Sequence, residues 1–107
     1  MPKKIYNKLV RDKLPEIISN DGGSPEFYIL DDLEYRKRLR IKLLEEAGEV
    51  NASRSLDDLT KELADILEVL EAIMKVEDIN EVAVKEIKKK RRLERGGFDK
   101  KIYLISG

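Results

Sequence analysis

The sequence predicts a mainly α-helical protein, an antiparallel helical bundle with a minor β element formed by short terminal strands. Apolar residues recur at helical spacing through most of residues 31–95, which is the periodicity of amphipathic helices. Capping patterns divide that stretch, and the other apolar segments are short enough to be strands. Because 107 residues suffice for one hydrophobic core but not for two, we predict a single domain over residues 1–107.

Three long helices are predicted, and each begins with Asp or Ser followed three residues later by an acidic residue, as in a capping box. These pairs are Asp31 with Glu34, Ser55 with Asp58, and Asp78 with Glu81. The predicted helices run over 31–53, 55–76 and 78–95, after a short helix over 12–20 that Asp12 caps and that has Pro15 in its first turn. Gly96-Gly97 ends the last helix.

The first two long helices are joined by a very short connection, so we expect them to pack as an antiparallel hairpin. Their predicted core stripes are Leu33, Leu39, Leu43, Ala47 and Val50 on the first, and Leu59, Leu63, Ile66, Leu67, Leu70, Ile73 and Met74 on the second. Residues 3–10, 27–30 and 101–105 are expected to be extended and to supply the minor strands.

The absence of two residue types excludes whole classes of site. Without cysteine there are no disulfides, thiolate zinc sites or cysteine nucleophiles, and without histidine there is no Ser-His-Asp triad. A metal site would therefore use oxygen ligands, which favour Mg²⁺, Mn²⁺ or Ca²⁺. No apolar run approaches the length of a membrane span, and the first residues lack the apolar region of a secretory signal, so we expect a cytoplasmic protein.

Zero net charge conceals a strong segregation of charge along the chain. The balances are +4 for residues 1–13, −1 for 14–44, −9 for 45–81 and +6 for 82–107. Such an arrangement can neutralise itself within the fold, bind a partner, or hold a metal beside a polyanion.

Carboxylates occur on the apolar stripes of the predicted hairpin. Glu46 and Glu62 each lie three residues after a core leucine and four before a core β-branched residue, so each projects from an apolar face. Glu49 and Asp65 follow about one helical turn later. The hairpin is expected to bring the four carboxylates together. Two interpretations remain open, a divalent-metal site and a structural network paired with lysine or arginine.

The acidic pattern resembles a known family. Residues 44–49 read LEEAGE, and after twelve intervening residues 62–65 read ELAD, which is similar to the Glu-x-x-Glu…Glu-x-x-Asp signature of the all-α nucleoside triphosphate (NTP) pyrophosphohydrolases. This is the MazG superfamily, which includes phosphoribosyl-ATP pyrophosphohydrolase. Residues 7–16, NKLVRDKLPE, and 94–98, ERGGF, resemble flanking motifs of a small MazG-like branch presumed to clear non-canonical nucleotides.

The resemblance implies Mg²⁺-dependent (or Mn²⁺-dependent) cleavage of a nucleoside triphosphate between its α- and β-phosphates, which gives a monophosphate and pyrophosphate. The implied metal ligands are Glu46, Glu49, Glu62 and Asp65, and Glu46 and Glu49 are equal candidates for the catalytic base. The candidate phosphate contacts are Arg11, Lys13, Lys42 and Arg95. Lys42, four residues before Glu46, is equally explained by a salt bridge within the helix. Relatives in the family commonly assemble, so a homo-oligomer, either a dimer or a tetramer, is also expected.

Two other functions are consistent with the same residues. One is a non-catalytic helical module that assembles with itself or with another protein. The other is a nucleic-acid binder that uses the basic run over residues 88–92. The acidic centre of the chain would repel a polyanion, which argues against the second.

Overall fold

The computed structural model describes residues 3–107, and in that range the chain is helical with no strand. The four helices are α1 (Leu14–Asn20), α2 (Asp32–Ala52), α3 (Leu56–Val76) and α4 (Glu81–Arg95). The predicted mainly α-helical class is confirmed, and each predicted helix is present.

Side-chain caps explain why α2 and α3 begin where they do. Asp31 accepts a hydrogen bond from the backbone N–H of Glu34 at 2.8 Å. Ser55 accepts one from the N–H of Asp58 at 3.1 Å. Each bond satisfies a backbone donor that the first turn leaves without a partner. Both predicted caps are confirmed.

The predicted caps of the other two helices are wrong. Asp12 does not cap α1, because Lys13 occupies the N-cap position and makes no side-chain capping bond. At α4 the cap is Asn80, whose side chain accepts from Val82 N–H at 2.8 Å. Asp78 instead adopts a left-handed backbone conformation (φ 54°) in the connection after α3. An Asp residue tolerates that conformation, so it serves the turn there.

The core lies between α2 and α3, which form the one extensive helix–helix contact among residues 3–107. Only three connecting residues, 53–55, separate the helices, so close packing makes them an antiparallel hairpin. Among residues 3–107, Leu39 of α2 and Val69 of α3 are the buried apolar side chains, exposed by 3% and 8%. No helix in the described range is both long and apolar enough to cross a bilayer.

The predicted minor β element is not seen in the described part of the chain. The segments 3–10, 27–30 and 101–105 are outside the helices and form no ladder with one another. A strand requires a neighbouring strand to take its backbone hydrogen bonds, and sequence pattern cannot supply that neighbour. The local alternation of apolar residues therefore predicted strands that do not form in the described residues.

Candidate functional site

Three of the four predicted carboxylates converge across the α2–α3 hairpin. Glu46 of α2 and Glu62 and Asp65 of α3 each place one carboxylate oxygen so that the three oxygens lie within 4.8 Å of one another. We call this group the acidic triad. Glu46 is the most enclosed member, with 8% of its surface exposed, and the other two are half-buried. The seam between the helices thus carries a cluster of negative charge beside the apolar core.

The fourth carboxylate, Glu49, lies at the edge of this group. It is exposed and does not belong to the set of mutually close oxygens. Its negative charge is nevertheless near enough to contribute to the raised pKa of Glu62. Glu49 therefore borders the acidic triad from the solvent side of α2.

In the described part of the chain, two cations contact the acidic triad. The guanidinium Nη2 of Arg11 lies 2.7 Å from Asp65 Oδ1, and Lys42 Nζ lies 3.5 Å from Glu46 Oε1. The ion pair between Lys42 and Glu46 is the salt bridge within α2 that their four-residue spacing predicted. Glu62 forms no ion pair with any residue in the range 3–107. Features of both open interpretations, a metal cluster and a basic network, thus occur together.

Crowding of like charges is most evident at Glu62. Partial desolvation raises the pKa of its carboxyl group above the ordinary value, and the negative charge of Asp65 raises it further. Glu46 adds to the effect through a hydrogen bond and through its charge. A carboxylate whose ionisation is opposed by neighbours gains most from a cation placed between them.

The amino-terminal segment over residues 7–11 bridges both helices of the hairpin. Lys8 Nζ donates to Glu45 Oε1 on α2 at 2.6 Å, while Arg11 reaches α3. Asn7 has a left-handed backbone (φ 45°), which Asn accepts more readily than most residues. Lys8 and Arg11 thus lie over the side of the hairpin that holds the acidic triad.

Sequence reasoning missed the pair formed by Lys8 and Glu45. Burial alone would raise the pKa of Glu45, but hydrogen bonds from Lys8 and Lys42 outweigh it and lower the pKa. The hydrogen bond to Glu45 raises the pKa of Lys8 in turn. The available signal was the +4 balance of residues 1–13, although charge alone does not reveal which carboxylate a lysine meets.

Two predicted phosphate contacts lie outside this cluster. Lys13 is the exposed N-cap of α1, and Arg95 is the exposed last residue of α4. In the described part of the chain neither forms an ion pair with a member of the acidic triad. Their roles stay predictions.

The acidic triad fits a hard divalent cation by its donor chemistry. All three donors are carboxylate oxygens, the ligand type that Mg²⁺ and Mn²⁺ favour, and they come from two helices that hold them at fixed spacing. Three carboxylates leave room for retained waters and for ligand oxygens, which Mg²⁺ ordinarily keeps.

Comparison with known proteins gives little functional information. No family model matches the chain. A stretch of 50 residues, 47% of the chain, is 42% identical to an uncharacterized protein of Mycolicibacterium smegmatis. The match covers 51% of that relative, so the chain spans about half the length of the curated relative it matches. No solved structure matches the chain.

Proposed function

We propose that the protein is a Mg²⁺-dependent nucleoside triphosphate pyrophosphohydrolase that cleaves between the α- and β-phosphates. The observation that carries the proposal is the convergence of Glu46, Glu62 and Asp65 from two helices, at the positions of the MazG-like signature. Cationic side chains of the amino-terminal segment border the same cluster, as a polyphosphate would require. The resemblance also supports a house-cleaning role on non-canonical nucleotides.

In this proposal the acidic triad holds Mg²⁺ or Mn²⁺, and Glu49 supports it from the edge. The bound cation would neutralise phosphate oxygens and lower the pKa of a water. The chain lacks histidine, so a carboxylate is the natural acceptor for the proton of that water. Glu49 is our preferred acceptor over Glu46, because Glu49 is exposed whereas Glu46 is buried and paired with Lys42.

Phosphate oxygens would be bound by the cations nearest the acidic triad. Arg11 is the leading candidate, because its side chain is 62% exposed while its guanidinium contacts Asp65 and can turn its remaining donors to a ligand. Lys42 lies beside Glu46 on the same helix. Lys13 and Arg95 would bind phosphate only if their segments moved closer to the acidic triad.

The decisive experiment measures pyrophosphate release from a panel of canonical and modified nucleoside triphosphates with Mg²⁺. We expect release by the wild type and a loss of roughly 100-fold or more in Glu62→Gln and in Glu46→Gln, since each removes a metal ligand. Glu26→Gln makes the same chemical change at an exposed site away from the hairpin and should retain activity. If the wild type cleaves no nucleotide, and Glu46→Gln binds Mg²⁺ as well as the wild type does, the proposal fails.

A non-catalytic assembly module is the second candidate, because a specific observation favours it. Many large apolar side chains are exposed, including Leu63, Leu67 and Ile87 at 48%, 59% and 60%. On this alternative, replacing the acidic triad would change stability or oligomeric state, and no turnover would exist to lose. Measuring pyrophosphate release and molecular mass on the same variants separates the two functions.

A further inference from the structure

A second group of charged side chains lies beside the acidic triad, where the amino-terminal segment meets α2. Residues 7–9 and one face of α2 line a recess between them. The lining residues on α2 are spaced by three or four positions and therefore share a face of the helix. They are Arg38, Ile41, Lys42 and Glu45. We call this recess the cationic pocket, because its lining carries three cations and one carboxylate.

The cations of the pocket have donors left for a ligand. Arg38 uses Nε in a hydrogen bond to Glu34 Oε1 at 2.9 Å, and a guanidinium carries four more N–H donors on its two Nη atoms. Lys8 and Arg38 are partly exposed, so a solute can reach both, whereas Lys42 lies deeper with 17% of its side chain exposed. A ligand in the pocket would therefore meet cations from two separate segments of the chain.

The carboxylate of Glu45 occupies the position between the two lysines. Lys8 Nζ lies 2.6 Å from its Oε1, and Lys42 Nζ lies 3.2 Å from its Oε2. A phosphate group offers the same feature, several anionic oxygens on one centre, with more charge than a carboxylate has. With Glu45 in place the cavity volume is about 40 Å³, which suffices for a water but little more. A phosphate would therefore have to displace Glu45.

Lys42 connects the cationic pocket to the acidic triad. Its Nζ lies 3.2 Å from Glu45 Oε2 in the pocket and 3.5 Å from Glu46 Oε1 in the triad. One ammonium group thus contacts both sites, which are adjacent on α2. A ligand that extends from the triad to the pocket needs more than one phosphate, because its two ends meet different groups. The arrangement favours a diphosphate or triphosphate chain over a single phosphate.

We propose that the cationic pocket binds the terminal pyrophosphate group of a nucleoside triphosphate, once Glu45 turns away from Lys8 and Lys42. The inference rests on the proposed function, since it places the β- and γ-phosphates in the pocket and the bond to be broken toward the acidic triad. In that reaction the water oxygen bonds to the α-phosphorus, and its proton passes to a carboxylate. The bridging oxygen leaves with the electron pair as pyrophosphate, whose negative charge Lys8, Arg38 and Lys42 stabilise.

The test measures binding of inorganic pyrophosphate to the full chain by isothermal titration calorimetry, in a buffer with a chelator and no divalent cation. The acidic triad only repels the ligand under these conditions, so binding reports on the cations. Lys8→Gln and Arg38→Gln should each weaken binding about tenfold, because each removes a charged donor. Lys37→Gln and Arg54→Gln make the same changes at exposed residues outside the pocket and should leave the affinity unchanged.

Glu45→Gln should change the affinity in the opposite direction. It removes the carboxylate that competes with pyrophosphate for the two lysines, so binding should tighten about threefold or more. A variant that merely folds poorly would not gain affinity, and Glu26→Gln should leave the affinity unchanged. In nuclear magnetic resonance spectra of the wild type, pyrophosphate should shift the Arg38 Nε–H signal and the backbone amides of residues 7–9. A weaker affinity in Glu45→Gln would contradict the displacement.

A comparison of ligands identifies the source of the pyrophosphate group. Inorganic tripolyphosphate and adenosine triphosphate should bind at least as tightly as pyrophosphate, whereas inorganic phosphate and adenosine monophosphate should bind about tenfold more weakly or less. If tripolyphosphate binds but adenosine triphosphate and other nucleoside triphosphates do not, the pocket takes an inorganic polyphosphate and the proposed substrate orientation is wrong.

Glu62→Gln separates a failure of this inference from a failure of the proposed function. This variant should lose nucleotide cleavage but keep its metal-free affinity for pyrophosphate. An unchanged affinity in both Lys8→Gln and Arg38→Gln would overturn the pocket, even if the wild type cleaves nucleoside triphosphates. Pyrophosphate binding that both variants lose, in a protein that cleaves no nucleotide, would support the pocket and reject the pyrophosphohydrolase.

Discussion

The α2–α3 hairpin and residues 81–105, which we call the carboxy-terminal arm, share similar local signals but have opposite surroundings. Both contain helices that begin at a side-chain cap and carry apolar residues at helical spacing. In the hairpin those residues meet a second helix and bury Leu39 and Val69, whereas every residue of the arm is exposed. Local signals thus determine that a helix forms, and a partner surface determines whether it contributes to a core.

Removing a core side chain should have the largest effect on stability and should separate the two regions. Leu39→Ala deletes packing at a site exposed by 3% and should lower the free energy of unfolding by about 3 kcal/mol. Ile87→Ala, at a side chain that is 60% exposed, should change it by less than about 0.5 kcal/mol. Urea denaturation followed by circular dichroism measures both. Equal losses would mean that the arm belongs to the same core.

If Leu39→Ala prevents folding, Val69→Ala gives a milder form of the same comparison. Val69 is buried against α2, with 8% exposed, and loses fewer carbon atoms on substitution. We expect a smaller loss than for Leu39→Ala, but one that still exceeds the effect of Ile87→Ala.

Removing a helix cap should have the next largest effect. Ser55→Ala removes the acceptor for Asp58 N–H and should cost about 1 kcal/mol of unfolding free energy, because α3 is part of the core. Asn80→Ala removes the equivalent bond to Val82 N–H but should mainly reduce the helix content of α4. Denaturation and far-ultraviolet circular dichroism report the two quantities. A larger unfolding penalty for Asn80→Ala would contradict the comparison.

Neutralising Glu62 should raise stability when no divalent cation is present. Its pKa is raised in the folded protein, so its favourable contribution is complete below 4.5, the ordinary pKa, and is lost as pH rises through the folded value. At pH 7 the ionised group opposes folding, so Glu62→Gln should unfold at a higher temperature than the wild type. This increase in melting temperature should be smaller than the decrease that the loss of a helix cap causes.

Two controls sharpen this prediction. The gain from Glu62→Gln should vanish below pH 4.5, where wild-type Glu62 is itself protonated. Adding Mg²⁺ should raise the melting temperature of the wild type but not that of the variant, because the acidic triad has then lost a ligand. A melting temperature that Mg²⁺ raises equally in both proteins would show that the triad is not the site of binding.

The sequence was most informative where one short segment determines the outcome. Asp31 and Ser55 each cap a helix through a bond that spans three residues, so their spacing predicts the bond. Convergence of Glu46 with Glu62 and Asp65 was also predictable, because a short connection forces α2 and α3 into a hairpin. Each of these inferences depends on helical geometry alone.

The sequence was least informative where the outcome depends on distant partners. Leu33 and Leu63 were predicted in core stripes but are 79% and 48% exposed. In residues 3–107, α2 and α3 pack extensively on each other and on no other helix. The segments 27–30 and 101–105, which were predicted as strands, have no partner strand within residues 3–107. The contact of Lys8 with Glu45 spans 37 residues and has no local pattern. Periodicity identifies an apolar face without identifying what covers it.

The bridge between Lys8 and Glu45 should give the smallest effect, because both side chains are partly exposed. Glu45→Gln removes the pairing of Glu45 with Lys8 and also with Lys42, and it should lower the free energy of unfolding by about 0.5 kcal/mol at neutral pH, as for other solvent-screened pairs. The lowered pKa of Glu45 means that its contribution is present above 4.5 and is lost as pH falls through the folded value. The raised pKa of Lys8 means that its contribution is present below 10.5 and is lost as pH rises through the folded value.

The difference between wild type and Glu45→Gln should therefore form a plateau from about pH 5 to pH 10 and shrink outside it. Raising the salt concentration should reduce the plateau, because screening acts on an exposed pair. Glu26→Gln is the matched control and should show neither the plateau nor the salt effect. If the difference between wild type and Glu45→Gln does not vary with pH, the amino-terminal segment does not hold Lys8 against α2. The placement of Arg11 beside the acidic triad would then lose the support that it takes from the same segment.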